Sequence, residues 1–332
     1  MGPRRKLGLL TVLVSSLFVT APPSVFAQSM KVPYAALSPT YAPLWVAEQA
    51  GYFKKYGLEI QPVYISAGSI IVPALLSGQV EIANMSSAPA LTAWARGAEL
   101  VAVGVTSNRL LHVVMARGAI KKPEDLKGKR VGSDRYGSLS DLVLRDALRH
   151  FNLAPDRDVA IMQTGGLPER LGALKAGALD GAILTGDTAF HAEKLGFHTV
   201  IDLSQLPIQY PGSTIVVSKA LVQSKRDLLK KFLRGWIEGI KTARTDKELT
   251  VKVLQKFLKT ADREILDRTF EVYKDVQEKI PVPDAKVMAV ALKQLAATVP
   301  QAGQLKAEDF IDRSLIGELE SEGFIAKLYG GR

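Results

Sequence analysis

The chain has 332 residues, 47% of them hydrophobic, no cysteine, and a formal net charge of +10 at pH 7. The lack of cysteine excludes disulfides, thiolate catalysis, cysteine-ligated metals and a lipid anchor on cysteine, so the fold must rest on a hydrophobic core. Lysine and arginine are scattered along helical stretches such as 225–234 and 241–259 rather than clustered with interleaved aromatics. That pattern reads as solvated faces and argues against a nucleic-acid partner.

Residues 1–27 read as a leader. Arg4, Arg5 and Lys6 form a basic head, 7–20 an apolar run, and Val25-Phe26-Ala27 a small-residue cleavage pattern, the marks of a secretory signal peptide cut after Ala27. The apolar run is shorter than the roughly 20 residues of a membrane span. Removing the three basic residues leaves +7. The mature chain is expected in the periplasm as a monomer without a lipid anchor. Its roughly 300 residues suit two compact lobes better than one core.

The first predicted strand, 32–37, empties into Ser38-Pro39-Thr40-Tyr41, and Pro43 suits the first turn of the helix that follows. Gly51 and Gly57 stop two helical pieces before a strand that starts at Leu58 and ends at Tyr64-Ile65. Ser66-Ala67-Gly68-Ser69 then opens a helix that runs to Leu76. A strand over 80–83 delivers Asn84-Met85-Ser86-Ser87 to another helix start. Three strand ends thus present hydroxyls and free amides to one crevice. Strands follow at 100–105 and 111–116, then a capped turn at 123–128, a strand, a polar turn over 133–138, and a helix over 139–150. The segment 74–83 recurs as 173–182: a helix ending at glycine, then an acidic residue two places before the strand's alanine. This recurrence favours two lobes of similar build. Strands at 159–163 and 182–184 end in Thr164-Gly165-Gly166 and Thr185-Gly186-Asp187-Thr188. Residues 209–214 read as a return crossing, 215–217 as a strand of the first lobe, and 228–243, 249–258, 263–280 and 285–297 as helices.

No catalytic constellation emerges. His112, His150, His191 and His198 show no metal-ligand spacing on one helical face, and His112, in a strand, reads as structural. There is no G-x-S-x-G elbow, phosphate loop or dinucleotide fingerprint. Neither a metal nor another cofactor is expected.

Tyr41-Ala42-Pro43-Leu44-Trp45-Val46-Ala47, with Gly51-Tyr52-Phe53-Lys54-Lys55-Tyr56-Gly57-Leu58, closely resembles the opening of periplasmic solute-binding proteins of ABC importers. The resemblance is to the nitrate, sulfonate and taurine group, which shares its fold with thiamine-pyrimidine precursor synthases. Pro123-Glu124-Asp125-Leu126-Lys127-Gly128-Lys129-Arg130-Val131 resembles the entry into such proteins' second lobe. The resemblance implies an α/β, two-lobed periplasmic binding protein type 2 fold, each lobe a mixed sheet flanked by helices, with a helical C-terminal tail. Residues 28–117 and 213–332 would form lobe one and 118–212 lobe two, with crossings near Gly118 and Gln209.

It implies a small-molecule solute held between the lobes and permease subunits of the inner membrane as partners. A pyrimidine-precursor-synthase-like enzyme and a ligand sensor are the alternatives; the leader and the lack of cysteine oppose the enzyme. Carried over by position, the ligand contacts are Ser38, Thr40, Tyr41, Ser69, Ser86 and Ser87 from lobe one, and Arg135, Tyr136, Gly137, Ser138 and Asp187 from lobe two. Arg135 would clamp a carboxylate or sulfonate, or pair with Asp134 or Asp141. Tyr41 and Tyr136 would sandwich an alkyl or aromatic portion, or pack in the core. Asp187 would answer an amine or cap a helix. Sulfonate-binding members carry a run of small serine and threonine residues where this chain has Asp134-Arg135-Tyr136. That departure argues against an alkanesulfonate and leaves a larger organic acid or aromatic solute.

Overall fold

The computed structural model describes Gly2 and residues 28–330; the other leader residues, Ala27 before the expected cleavage site among them, lie outside the described residues. β1 (Gln28–Tyr34) is followed by α1 (Ala42–Gln49), α2 (Tyr52–Lys55) and β2 (Leu58–Tyr64). Next come α3 (Gly68–Leu76), β3 (Ala83–Met85), α4 (Ser87–Ala95) and β4 (Leu100–Ser107). β5 (His112–Ala116), β6 (Arg130–Ser133), α5 (Leu139–His150) and β7 (Ala160–Gln163) continue the chain. They lead to α6 (Leu167–Ala176), β8 (Gly181–Thr185), α7 (Asp187–Lys194), β9 (His198–Asp202) and β10 (Ser213–Ser218).

These strands make two five-stranded sheets, ordered β2-β1-β3-β10-β4 and β7-β6-β8-β5-β9. In the first, β2, β1 and β3 are parallel and β10 runs antiparallel to both its neighbours. In the second, β7, β6 and β8 are parallel and β5 is the reversed strand. The sheets therefore share one topology, and the recurrent segments 74–83 and 173–182 fall at equivalent places, α3 into β3 and α6 into β8.

The expected boundary at 117/118 needs correction. It assigns β5 to the first lobe, but β5 hydrogen-bonds to β8 and β9 in the second sheet. The outward crossing is thus the four residues 108–111 between β4 and β5, not Gly118. An apolar strand does not reveal which sheet it joins, because only hydrogen-bonding partners distant in sequence decide that. The return, 203–212, includes Gln209 as expected, and β10 begins at Ser213.

The remainder is helical: α8 (Lys219–Ser224), α9 (Arg226–Thr245), α10 (Lys247–Leu258), α11 (Arg263–Tyr273), α12 (Ala285–Leu295), α13 (Ser314–Ser321) and α14 (Phe324–Tyr329). α11 ends at Tyr273 rather than near 280. The backbone beyond it is captured by the open edge of β4, with Glu278 N–H donating to Thr106 O and Val105 N–H to Pro281 O at 2.7 and 2.8 Å. Asp312 N–H donates to Ala102 O on the same strand, so the exposed edge is covered.

α9 seats this helical layer on α1 and α2. Gly239 makes the approach possible: a Cβ there would lie 2.3 Å from Pro43 O and 2.7 Å from the Ala47 Cβ. Trp45 on α1 is wholly buried and stacks on Phe257 of α10 with ring centroids 4.8 Å apart. Burial of such a ring contributes roughly 1.5–3 kcal/mol. This packing positions the turn before α1, and that turn forms part of one wall of the site.

Candidate functional site

Between the two sheets lies a cavity of about 60 Å³. Its floor is the outward crossing, through Arg109, Leu110 and Leu111, together with Gly212 of the return. Both passages between the sheets therefore reach the ligand-sized space.

The wall from the first sheet consists of strand ends and helix starts. Ser38, Thr40 and Tyr41 follow β1, Ala67 and Gly68 open α3, and Ser86 precedes α4. The Ser38 and Thr40 hydroxyls lie 3.2 Å apart. Ser86 precedes α4 without a side-chain capping bond. Tyr41 is buried, and burial, reinforced by Asp134, pushes its phenol well above the usual range. Every polar group here is neutral at pH 7.

The wall from the second sheet carries charge. Arg170 sits one turn into α6, 3% exposed, its Nε donating to Gly166 O at 3.3 Å and its Nη1 to Ile183 O at 2.5 Å. Among the described residues no carboxylate pairs with it and Nη2 has no protein acceptor. Asp134, 6% exposed at the end of β6, accepts from the Ser66 hydroxyl of the opposite wall at 3.0 Å. Burial raises the Asp134 pKa, while Arg170 pulls it back down. His112 opens β5 with its Nδ1 shielded and unpartnered; burial, with Arg170 adding to it, pushes its pKa down to about 3. It is neutral at pH 7. Ser138 caps α5 by accepting from Asp141 N–H at 3.4 Å, and the Ser140 hydroxyl accepts from Asp134 N–H at 3.2 Å. Thr185 bonds the Tyr273 hydroxyl at 2.8 Å, tying β8 to α11.

Of the eleven residues expected from the sequence, Ser38, Thr40, Tyr41, Ser86 and Ser138 line the cavity. The other six lie elsewhere. Ser69 is half-buried on α3 and off the cavity lining, and Ser87 turns to the return crossing, where its hydroxyl donates to Pro211 O at 3.4 Å. Arg135 is exposed and forms no ion pair among the described residues; Asp141 instead pairs with Arg145 at 2.8 Å. Tyr136 is 51% exposed under the Arg145 guanidinium, and Gly137 donates to Asp141, both in a separate groove against α4 and α12. Asp187 is buried at the start of α7 and lines a groove shared with α6 and the end of α10. Its Oδ1 has no partner, and burial pushes its pKa up to about 7.

Arg170, Asp134, His112, Ser140 and Thr185 are the residues missed. Arg170 left a signal: Leu167, Arg170 and Leu174 are buried at one helical face, so a cation stands on an apolar stripe. His112, expected as a structural strand residue, faces the cavity. The start of α1, α3, α4, α5 and α6 around one space places partial positive charge there, which favours anionic groups.

Comparison with known proteins agrees with this architecture. A taurine-binding periplasmic protein of Escherichia coli is 28% identical over 204 residues, covering 59% of this chain and 62% of that one. A 4-amino-5-hydroxymethyl-2-methylpyrimidine phosphate synthase of Schizosaccharomyces pombe is 26% identical over 126 residues, covering 37% of this chain and 36% of that one.

 The synthase match is thus confined to about a third of either chain, whereas the structural match is broad. The periplasmic aliphatic sulphonate binding protein of Escherichia coli superposes with a TM-score of 0.68 at 20% identity, over 86% of this chain and 92% of that one. The fold is that of the two-lobed periplasmic binding proteins. Residues 38–248 match the family model described as NMT1/THI5 like, which spans both walls of the cavity, and the chain belongs to that family.

Proposed function

We propose that this protein is the solute-binding component of an ABC-type importer, closing two lobes on one small molecule and handing it to a membrane permease. The observation that carries the reading is the cavity itself, set between two sheets of like topology and lined from both. On this reading lobe one comprises 28–107 and 213–330, lobe two 112–202, and the two crossings are the hinge. Ser66 donating to Asp134 spans the lobes, as a closed form requires. The relatives' periplasmic location and the expected leader both favour export. The solute carries an anionic group, because a buried guanidinium and five helix starts face it.

The test is thermal melting of the mature chain against organic acids, sulfonates, nitrate, amino acids and pyrimidines. A true solute at about a hundredfold over its Kd adds roughly 2.7 kcal/mol. Mass spectrometry of small molecules released on denaturation accompanies it. A flat panel with no released solute would sink the receptor reading. Turnover of a pyrimidine precursor by the purified chain would favour the enzyme instead.

A further inference from the structure

Resting on the solute-binding reading, the contacts between the lobes locate what holds them shut. Outside the cavity the lobes meet where α7 of lobe two lies against α11, and the turn before it, of lobe one. Lys194 Nζ, on α7, is 2.8 Å from Asp262 Oδ2 and 2.7 Å from Glu264 Oε2. Arg268 of α11 donates through both terminal nitrogens to the Glu193 carboxylate. Its guanidinium carbon also sits 3.8 Å from the centroid of the Phe190 ring, a cation–π contact. His191 Nε2 bonds the Thr260 hydroxyl at 3.1 Å.

This crossing of charge is confined to one seam. Every other ion pair among the described residues joins two groups of the same lobe. None of the seam's charged side chains lines the cavity. Thr185 does line it, and its bond to Tyr273 at the end of α11 joins cavity and seam.

The Lys194 and Arg268 side chains are 41% and 52% exposed, so a single pair contributes little, while a network of them adds up. The paired groups belong to lobes linked only by the two crossings, so separating the lobes breaks the pairs and closing them remakes the pairs. A solute that binds the shut form has its apparent affinity reduced by whatever fraction of chains is open. Residues that never touch the solute thereby set how tightly it is held.

We propose that the α7–α11 seam is an electrostatic strap, which biases the lobes toward closure and makes the closed fraction depend on ionic strength, whatever the solute.

The chain has no cysteine, so Leu76→Cys with Met162→Cys places two spin labels and no others. Both positions are exposed. Leu76 ends the helix after edge strand β2, Met162 is on edge strand β7, and the crossings leave the opposite sides of the two sheets. Double electron–electron resonance on the labelled mature chain, freed of co-purifying solute by unfolding and refolding, reads the short and long distances between the lobes. Salt at about 0.01 M and about 1 M sets Debye lengths of about 30 Å and about 3 Å. At low salt, Arg268→Glu should lower the ratio of short to long distances at least about threefold, roughly 0.65 kcal/mol. High salt should lower the parent's ratio in the same direction. Glu193→Arg together with Arg268→Glu, which exchanges the two charges, should bring the ratio back to within about twofold of the parent. A smaller effect of Arg268→Glu, a parent ratio equal at both salts, or no recovery on exchange overturns the strap. The receptor reading is decided apart from these distances: a chain that releases and binds no solute sinks that reading, whereas a chain that binds solute but ignores these substitutions sinks only the strap.

Discussion

The two walls of the cavity are built from equivalent elements yet do different work. The wall from the first sheet offers hydroxyls and amides on turns beside β1, β2 and β3, all neutral. Its partner, on the turns after β6, β7 and β8, carries a buried guanidinium and a buried carboxylate. The difference teaches that one topology supplies the positions, and side-chain chemistry divides the labour. Hydroxyls bind without a full desolvation cost and suit any oxygen-rich solute. Buried charges commit the site to a particular pattern of signs.

The contrast is broken most severely at Arg170. Arg170→Met removes the positive charge of the charged wall and should weaken solute binding by a hundredfold or more, about 2.7 kcal/mol. Calorimetry with the solute that raises the melting temperature reads this, and a loss under threefold would move the anion site elsewhere.

Asp187 tests whether a buried carboxylate outside the cavity acts on binding or only on stability. Its folded pKa, about 7, stands above the ordinary carboxylate value near 3.9 of an unfolded chain. The folded state therefore holds the extra proton between these values. Its favourable contribution is complete below about pH 4 and is lost as pH rises through about 7. Asp187→Asn should be more stable than the parent at pH 8, by on the order of 2 kcal/mol, and no more stable at pH 4. Denaturant midpoints at both values decide this, and solute affinity should stay unchanged.

Gly239→Ala probes the scaffold beneath the neutral wall. The added methyl meets Pro43 O and Ala47, so urea unfolding should show a loss of about 1–3 kcal/mol. Smaller effects separate the paired serines. Ser86→Ala should lower affinity by about 1 kcal/mol, whereas Ser87→Ala, whose hydroxyl faces Pro211 O, should leave it unchanged. The smallest effect belongs to Arg135→Ala, within about 0.5 kcal/mol for stability and with affinity unaltered. A large loss of affinity there would restore the clamp expected from the sequence.

Local chemistry was legible in the chain. Serine, glycine and proline mark where strands end and helices begin, because capping and left-handed backbone are decided within a few residues. That is why Ser38, Thr40, Tyr41, Ser86 and Ser138, named from the sequence, lie on the cavity lining, and why the recurrent segments 74–83 and 173–182 occupy equivalent places in the two sheets. The same local logic singled out Arg135, which lies exposed in a polar turn off the cavity lining, and Ser87, one residue past the lining Ser86.

By itself the sequence determined the α/β class, the family likeness and the hydroxyl-bearing turns, since each is written in short-range pattern. Only the tertiary structure decided that β5 joins the second sheet, that Arg170 and Asp134 line one cavity, and that His112 faces it. Those facts depend on contacts between residues far apart in the chain, and burial, which gives a charge its meaning, exists only once both sheets have closed around it.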